Sequence, residues 1–183
     1  AGTWLLRKDI HSNRQWDTSN VNEYESSEIN TWLNGEFFNT LGSAEQAAIK
    51  QVKIPYCVGN GASTINSGTN GLSVKAFLLG GYEVGWTTSD VQNFPQDGAK
   101  LSYFESGIGT SANNKRIAKL DGSAANWWLR SPRSDVARVV WYVDSNGSYA
   151  LNRASNSHGI RPALVIPGNA RFDETTMLLK GVA

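Results

Sequence analysis

The sequence predicts an α+β fold in which two N-terminal helices precede small antiparallel sheets and long loops. Helical periodicity is confined to the first third of the chain, a β-hairpin signal lies near the C-terminus, and Gly-rich irregular stretches separate them. This order, helices first and strands afterwards, is typical of α+β folds rather than of alternating α/β sheets. With 183 residues and a 40% hydrophobic composition, the chain is long enough for a single domain over residues 1–183.

The two predicted helices follow one another near the N-terminus. The first lies in the segment SSEINTWLNGEFFNTL, behind the candidate N-cap residues Ser26 and Ser27. The apolar residues that recur there at helical spacing are Ile29, Trp32, Leu33, Phe37 and Leu41. A second, shorter helix is predicted from Ser43, because Ser43 and Gln46 have the spacing of a capping box.

The middle of the chain predicts loops and one pair of strands. Residues 58–73 are rich in Gly, Ser, Asn and Thr without periodicity, which indicates a long surface loop. Residues 74–79 and 82–86 are apolar runs separated by two glycines, a spacing that predicts two strands joined by a tight turn. Residues 99–120 mix short apolar pieces with Gly and Asn and predict no definite element.

A β-hairpin is predicted from about residue 137 to residue 154. The dipeptide Asn146-Gly147 separates two β-prone runs, and both residue types tolerate the positive φ that a tight hairpin turn requires. Alternation along the first strand predicts one face with Val139, Trp141 and Val143, and a second face with Arg138, Val140 and Tyr142.

Charge and hydropathy exclude two classes of partner. The formal net charge is +1 and the charges are scattered, so no field attracts nucleic acid. The chain contains no run of 18 apolar residues, so we expect no direct membrane insertion. The single cysteine, Cys57, excludes an intrachain disulfide and is expected to be a small buried apolar residue.

No motif for catalysis or for metal binding is present, so we expect no catalytic residue, no cofactor and no metal. The chain lacks H-x-x-x-H, C-x-x-C and EF-hand spacings, and it lacks the G-x-S-x-G elbow of hydrolases. Asp90, Asp97 and Glu105 are the residues that would have to gather around a calcium ion. His11 and His158 are the available bases, and both lie in polar, loop-like contexts.

Three C-terminal motifs carry a resemblance to a known family. They are WWLRSP at Trp127–Pro132, SNG at residues 145–147 and GIRPALVI at residues 159–166. Together they resemble a bacterial and phage domain family whose signature is WWLRSP followed by GVRPAL. Upstream matches are Tyr24, Ser27, Trp32, Leu33, Asn34, the IPY at residues 54–56, and FLLGGYEVG at residues 77–85.

The resemblance implies a fold and a mode of binding. The family is similar to C-type-lectin-like folds of the formylglycine-generating-enzyme subtype, which close with a G-F/I/V-R motif after a Trp-rich strand. Several such domains are the variable proteins of diversity-generating retroelements, in which an error-prone reverse transcriptase rewrites adenines in the 3′ part of the gene. The resemblance therefore implies a ligand-binding protein, not an enzyme, with a variable region at about residues 127–166.

A bias in residue usage supports adenine-directed diversification. Mutated adenines of an AAC codon never produce Lys, Glu, Gln, Met or Trp. The 54 residues from Leu120 to Asp173 contain no Lys, Glu, Gln or Met, whereas the other 129 residues contain 22 of them. All six basic residues of this window are Arg, although the rest of the chain has 8 Lys and 3 Arg. An ordinary Lys-poor, β-rich segment is the alternative explanation.

The positions expected to vary and to contact ligand lie between the fixed motifs. They are Arg133, Asp135, Val136, Arg138, Tyr142, Ser148, Tyr149, Ala150, Asn152, Arg153, Ser155, Asn156 and His158. We expect Tyr142, Tyr149 and Arg153 to be the anchors, because Tyr offers rigid amphipathic area and Arg offers forked donors. The expected scaffold residues are Trp127, Trp128, Trp141, Gly147, Gly159 and Arg161, with Arg161 bound to backbone carbonyls or to a carboxylate.

Three functions remain open from the sequence. The first is a variable receptor-binding protein on a phage tail or a cell surface, which recognises protein or glycan. The second is an invariant carbohydrate-binding or adhesion domain of the same fold. The third is a noncanonical oxidase of the formylglycine-generating type, although that chemistry uses a pair of cysteines and only Cys57 is present.

We predict that the DNA around this gene holds a second copy of the segment encoding residues 127–166, with differences at adenines alone. A reverse-transcriptase gene should lie beside it, because adenine-directed diversification needs both a template and a copying enzyme. Sequencing the flanking DNA checks this expectation. A genome without such a copy would favour the invariant adhesion domain.

Overall fold

The computed structural model describes residues 2–172 and 179–182, and these are mostly β-structure. Strands account for 34% of the residues and helices for 15%. Only one helix of the described residues reaches seven residues. The predicted α+β fold of C-type-lectin-like type, with two N-terminal helices, is therefore wrong. The helical periodicity near the N-terminus is real but extends over one helix only, and most of the core is made by strands and irregular segments.

Sixteen strands form six small sheets in the part of the chain that the structure describes. In chain order the strands are β1 Gly2–Leu6, β2 Asn13–Gln15, β3 Val52–Ile54, β4 Tyr56–Gly59, β5 Ala62–Asn66, β6 Leu72–Val74, β7 Ala76–Phe77, β8 Ala118–Leu120, β9 Ser123–Ala125, β10 Trp127–Pro132, β11 Val139–Val143, β12 Tyr149–Arg153, β13 Ser157–Gly159, β14 Ala163–Pro167, β15 Ala170–Phe172 and β16 Leu179–Val182. The largest sheet has the order β12-β11-β10-β13-β2, and a three-stranded sheet has the order β1-β14-β7. The others are the pairs β3-β6, β4-β5, β8-β9 and β15-β16.

The first helix begins where the sequence predicts. Helix α1 spans Glu28–Trp32 and continues into a π-helical turn at Leu33–Phe37. The Ser27 hydroxyl accepts a hydrogen bond from the backbone N–H of Asn30 at 3.2 Å, which satisfies one of the free donors at the helix start. Two further helices are short: α2 at Ser43–Ala48 and α3 at Thr110–Asn114, with a 3₁₀ turn at Gly68–Asn70.

The second predicted helix is reduced to the six residues of α2 and lacks the predicted capping box. Gly42 occupies the N-cap position and makes no side-chain cap, while the Gln46 amide donates to the carbonyl oxygen of Leu41 at 2.7 Å. The helix ends at Ile49, whose backbone is extended. The next residue, Lys50, donates its backbone N–H to Val165 at 2.8 Å, so pairing with a distant strand competes with helix elongation.

Asn34 explains why the helix and the sheet next to it stay together. Its amide nitrogen donates to the Ala76 carbonyl at 2.9 Å, and its amide oxygen accepts from the backbone N–H groups of Lys75 at 2.8 Å and Ala76 at 3.2 Å. The Asn34 side chain thus makes the backbone hydrogen bonds that a neighbouring strand would otherwise make with β7. The π-helical turn contains Asn34, a location that suits a residue with a specific task.

Two predictions for the middle of the chain are wrong. Residues 58–73 are not a loop: they contain part of the β4-β5 hairpin, whose turn residues Asn60 and Gly61 have φ of 53° and 80°. Positive φ at both positions is the pattern of a type I′ turn, so this Asn-Gly pair was a usable signal. Residues 81–85 form turns instead of a strand: the backbone N–H groups of Glu83 and Val84 both donate to the Gly80 carbonyl, at 3.1 and 3.3 Å.

The C-terminal hairpin is confirmed, with a different turn. Strands β11 and β12 pair antiparallel, with Val143 opposite Tyr149. Among the turn residues only Gly147 has a positive φ, 78°, and its N–H donates to the Asp144 carbonyl at 2.9 Å. The loop is therefore a type I turn followed by a glycine bulge. A Cβ at Gly147 would collide with the carbonyl oxygen of Asn113, so glycine is also required sterically.

Buried tryptophans join the irregular segments. The indole N–H groups of three of them donate to backbone carbonyls that are distant in sequence: Trp16 to Leu129 at 3.0 Å, Trp127 to Arg116 at 2.9 Å and Trp128 to Arg14 at 3.1 Å. All three side chains are fully buried. Each ring therefore contributes apolar area and also satisfies a backbone acceptor that a regular sheet would otherwise pair.

A buried ion pair lies at the centre of the fold. Arg130 of the WWLRSP motif forms two bonds to Glu83 of the GGYE segment, at 2.6 and 2.7 Å. Its other three N–H groups donate to the carbonyl oxygens of Pro55, Leu78 and Asp97, so all five donors are used. Burial lowers the pKa of Arg130, but Glu83 and Asp97 outweigh this effect and the pKa is raised.

Asp97 completes this cluster at full burial. The Ser131 hydroxyl lies 2.8 and 2.9 Å from the two carboxylate oxygens, and Arg130 Nε lies 3.7 Å from one of them. Burial raises the pKa of Asp97 to about 6, and the opposing effect of Arg130 is smaller.

No helix of the described residues has the length and apolar character needed to cross a membrane.

We predict that Asp97 makes the protein less stable as the pH rises from about 4 to about 6. The folded chain holds the Asp97 proton up to about pH 6, whereas the unfolded chain releases it near 3.8, so folding takes up a proton between these values. The stabilising contribution of protonated Asp97 is complete below about pH 4, and it is lost as the pH rises through about 6. Relative to Asp97→Asn, the wild-type free energy of unfolding should fall by up to ~3 kcal/mol over this range.

Urea denaturation of both proteins between pH 4 and 7 measures this difference. The matched control is Asp121→Asn, because Asp121 is exposed. A pH dependence that Asp97→Asn leaves unchanged would contradict the assignment.

Candidate ligand-binding surface

One face of the five-stranded sheet carries a group of predicted contact residues. Tyr142 of β11 lies opposite Ala150 of β12 and opposite Trp128 of β10. His158 of β13 lies opposite Arg14 of β2. Directly opposite residues project from the same side of a sheet, so these positions share one face.

The alternation predicted for β11 is confirmed. Trp141 lies on the other face, where its ring contacts Phe94 at 5.7 Å and Tyr149 at 6.0 Å. Val143 pairs with Tyr149 on this same side. Val140 shares the face of Tyr142, but it is fully buried and therefore contributes to the core.

Two contacting pairs of planar side chains lie beside each other at the outer face. The rings of Tyr142 and His158 are 4.2 Å apart, and the guanidinium of Arg14 lies 4.3 Å over the ring of Trp32. Arg14 lies opposite His158 in the strand pairing, so the two contacting pairs occupy neighbouring positions between the hairpin and the helix. We call Trp32, Arg14, His158 and Tyr142 the planar strip. Beneath it, the buried ring of Trp128 contacts His158 at 4.5 Å.

Burial keeps His158 neutral near pH 7, and a hydrogen bond with Asn152 selects its tautomer. The Asn152 amide oxygen accepts from the backbone N–H of Arg153 at 2.9 Å and from the amide of Asn156. The Asn152 amide nitrogen therefore faces His158 Nε2, 3.0 Å away, and donates to it. Burial lowers the pKa of His158. The ring is consequently neutral near pH 7, with its proton on Nδ1.

The thirteen predicted contact residues do not form one patch. Every one of them keeps part of its surface accessible. Tyr142, Ala150, Asn152 and His158 lie together on the outer face. Tyr149 is on the opposite face, against Trp86 and Trp141. The remainder lie in loops and at strand ends: Arg133, Asp135, Val136, Arg138, Ser148, Arg153, Ser155 and Asn156.

Several of these loop residues have partners of their own. Arg133 Nε donates to Asp135 at 2.7 Å, a bond that lowers the pKa of the exposed Asp135 carboxyl, and Asn93 donates to the same carboxylate at 2.9 Å. The Val136 carbonyl accepts from the amide of buried Asn22 at 2.7 Å. This loop is therefore held in place from the N-terminal third of the chain.

The six predicted scaffold residues are all buried. Arg161 donates from Nε to the Arg7 carbonyl at 2.8 Å and lies 5.0 Å over the ring of Trp127. At Gly159, a Cβ would lie 2.7 Å from the Asn126 carbonyl oxygen and 2.6 Å from a carbon of Ile10. The WWLRSP and GIRPAL motifs therefore lie mainly in the interior, with Trp128 directly beneath the planar strip.

Comparison with known protein families matches residues 1–168 to the family described as a domain of unknown function, DUF6273. The chain belongs to the DUF6273 family. The match includes every strand of the five-stranded sheet and all four residues of the planar strip. No curated protein and no solved structure matches the chain.

Sequence reasoning missed half of the planar strip in this DUF6273 domain. Arg14 and Trp32 lie more than a hundred residues before His158, and they reach it only because β2 pairs with β13 and α1 packs nearby. No local pattern marks Arg14, since a three-residue exposed strand has no hydrophobic periodicity. Trp32 was recognised as a helix residue, but its exposure depends on what packs beside it.

The other candidates from the sequence are dispersed in the DUF6273 domain. Cys57 is fully buried, and burial raises the pKa of its thiol to about 11, so it is a poor nucleophile. Asp97 belongs to the Arg130 cluster, whereas Asp90 accepts from Thr87 and Glu105 from Ser111. Within residues 2–172 and 179–182, no three His, Cys, Asp or Glu residues are close enough together to hold a metal ion.

We predict that Trp128→Ala lowers the free energy of unfolding by about 3–5 kcal/mol, because it removes a fully buried ring beneath the planar strip. Substitutions at exposed predicted contacts, Arg138→Ser and Arg153→Ser, should each change it by less than about 1 kcal/mol. Chemical denaturation of the three variants measures this contrast. Large losses at the two arginines would show that these positions are structural and not free to vary.

Proposed function

We propose that this DUF6273 domain is a ligand-binding module, without catalytic activity, whose ligand contacts the planar strip. The observation that carries the proposal is the strip itself: two contacting pairs of planar side chains, Tyr142 with His158 and Arg14 with Trp32, on neighbouring strands and the adjoining helix. Tyr142, His158 and Trp32 are half-buried and Arg14 is exposed, so each can contact a ligand while remaining supported from below. The aromatic rings among them combine large contact area with little loss of conformational entropy.

Polar groups beside the strip add directional contacts. At the edge of the strip, the Asn156 amide nitrogen donates a hydrogen bond to the Asn152 amide oxygen. Asn156 is exposed, so its amide can form further hydrogen bonds with a ligand. Arg14 also pairs with exposed Glu36 at 3.4 Å, a weak contact that a ligand carboxylate can replace. Rigid aromatic rings with adaptable amides are the combination that antibody loops use to recognise unrelated surfaces.

We further propose that adenine-directed mutagenesis diversifies the region at about residues 127–166. The residue bias of the window supports this proposal, and the burial pattern adds to it. The thirteen positions expected to vary are all partly or fully exposed, whereas the six expected to stay constant are all buried. Replacing exposed side chains leaves the core packing intact. The ligand would then be a protein or glycan on a cell or virus surface, with the domain on a phage tail or cell surface.

Invariant carbohydrate binding is the second candidate function. Sugar rings stack on aromatic faces, and the close spacing of Tyr142 and His158 with amides alongside suits that contact. Titration with simple hexoses separates the two candidates. Quenching of tryptophan fluorescence that Tyr142→Ala abolishes and Tyr149→Ala preserves would favour this one, since Tyr149 lies on the opposite face.

A display library tests the proposed function directly. We expect that randomising Tyr142, Ala150, Asn152 and His158 with NNC codons yields mostly folded proteins and, after selection, binders of a test protein such as lysozyme. These four positions share the outer face, so their side chains can form one contact surface. Folding is measured by protease resistance of the displayed domains.

The matched control library randomises four buried positions of the same segment, Trp127, Trp128, Trp141 and Gly159. It should yield few folded members and no binders. If the outer-face library unfolds as often as the buried one, the outer face is structural and the proposal fails.

A further inference from the structure

A cleft lies away from the planar strip. It has a volume of about 590 Å³ and lies between strand β1 and residues 101–104. Its walls are mainly apolar and include Leu6, Leu79, Leu101 and Phe104. None of the described residues that line it belongs to the planar strip. The volume is in the range of sites that take small organic molecules.

Exposed aromatic side chains flank this cleft. Trp4 is 38% exposed and Tyr103 is 58% exposed, whereas large aromatic side chains are usually more buried than this. The Trp4 ring packs edge-on against Phe77 at 5.1 Å, so it is held in place beside the opening. Tyr103 packs edge-on against Phe104 at 5.0 Å in the same way. The cleft thus offers a preformed apolar surface.

Arg161 lines the cleft and also has a buried donor without a partner. Only 4% of this residue is exposed, and its Nη1 atom has no hydrogen-bond partner among the described residues. Nε is already bound to the Arg7 carbonyl, and the stacking on Trp127 restricts the guanidinium plane. A buried charged donor without an acceptor is energetically costly, so this atom requires an acceptor from elsewhere.

We propose that the cleft binds a small amphipathic carboxylate, with its carboxylate on Arg161 and its apolar body along Leu79, Leu101 and Phe104. Charge complementarity supports an anion: Lys8 also lines the cleft, and no Asp or Glu is among its described lining residues. The two oxygens of a planar carboxylate match the geometry of the N–H donors of a guanidinium. The mainly apolar walls disfavour a doubly charged phosphate, which would lose more hydration on entry.

The electrostatics of Arg161 agree with this assignment. Burial lowers the pKa of Arg161 to about 10, and the nearby Tyr103 and Asp9 oppose this effect only in part. The guanidinium is therefore charged at neutral pH and lacks the hydration that it has in water. A bound carboxylate would supply the missing negative partner.

Calorimetric titration of the full chain with decanoate and with decanol tests the proposal. The two probes share a ten-carbon chain and differ in charge, and we expect decanoate to bind about tenfold more tightly, as one charge-assisted hydrogen bond predicts. Equal affinities would overturn recognition of the anion. If neither decanoate nor decanol binds, the proposal that the cleft is a ligand site is overturned.

Two variants locate the site. Arg161→Met keeps an apolar side chain against Trp127 and should remove the preference for decanoate, with thermal unfolding as a check on the fold. Ser102→Trp places a large ring at an exposed position of the lining and should weaken decanoate binding several-fold. Ser123→Trp, at an exposed position outside the lining, is the matched control. Unchanged binding by Ser102→Trp would overturn the location, even if Arg161→Met does not fold.

Discussion

The buried guanidinium of Arg130 is the constraint on which the rest of the structure depends. All five of its N–H groups have acceptors, and these come from four separate segments, at Pro55, Leu78, Glu83 and Asp97. Removing one partner of such a pair leaves a charge in the interior, which costs more than most single contacts. The chain near Glu83 therefore turns inward instead of forming a strand, and the segments that carry little regular structure are held around one group.

This arrangement separates the buried C-terminal motifs from the accessible face of the hairpin between them. The family motifs WWLRSP and GIRPAL supply buried residues, among them Arg130, Trp127 and Arg161, while the hairpin between them presents Tyr142 and Asn152 on its outer face. Under the proposed function, ligand contacts and side-chain changes would fall on this accessible face.

Local signals predicted local elements, and their failures have physical reasons. The Ser27 cap and the Asn146-Gly147 hairpin each depend on a few adjacent residues, and both are present. The second helix is shorter than expected because Lys50 pairs with Val165, which is far away in the sequence. The class prediction gave too much weight to helical periodicity, since many of the strands have only three residues and are too short to show alternation.

The sequence by itself determined which residues of the C-terminal region are large, rigid and apolar, where its hairpin lies, and which residue types its window avoids. Tertiary structure alone decided that Arg14 and Trp32 extend the outer face, that Tyr149 turns away from it, and that Arg161 retains an unpaired donor beside a cleft. The reason is that composition and periodicity act between neighbours in the chain. A shared surface is created by pairing between distant strands, such as β2 with β13, and no local pattern encodes that pairing.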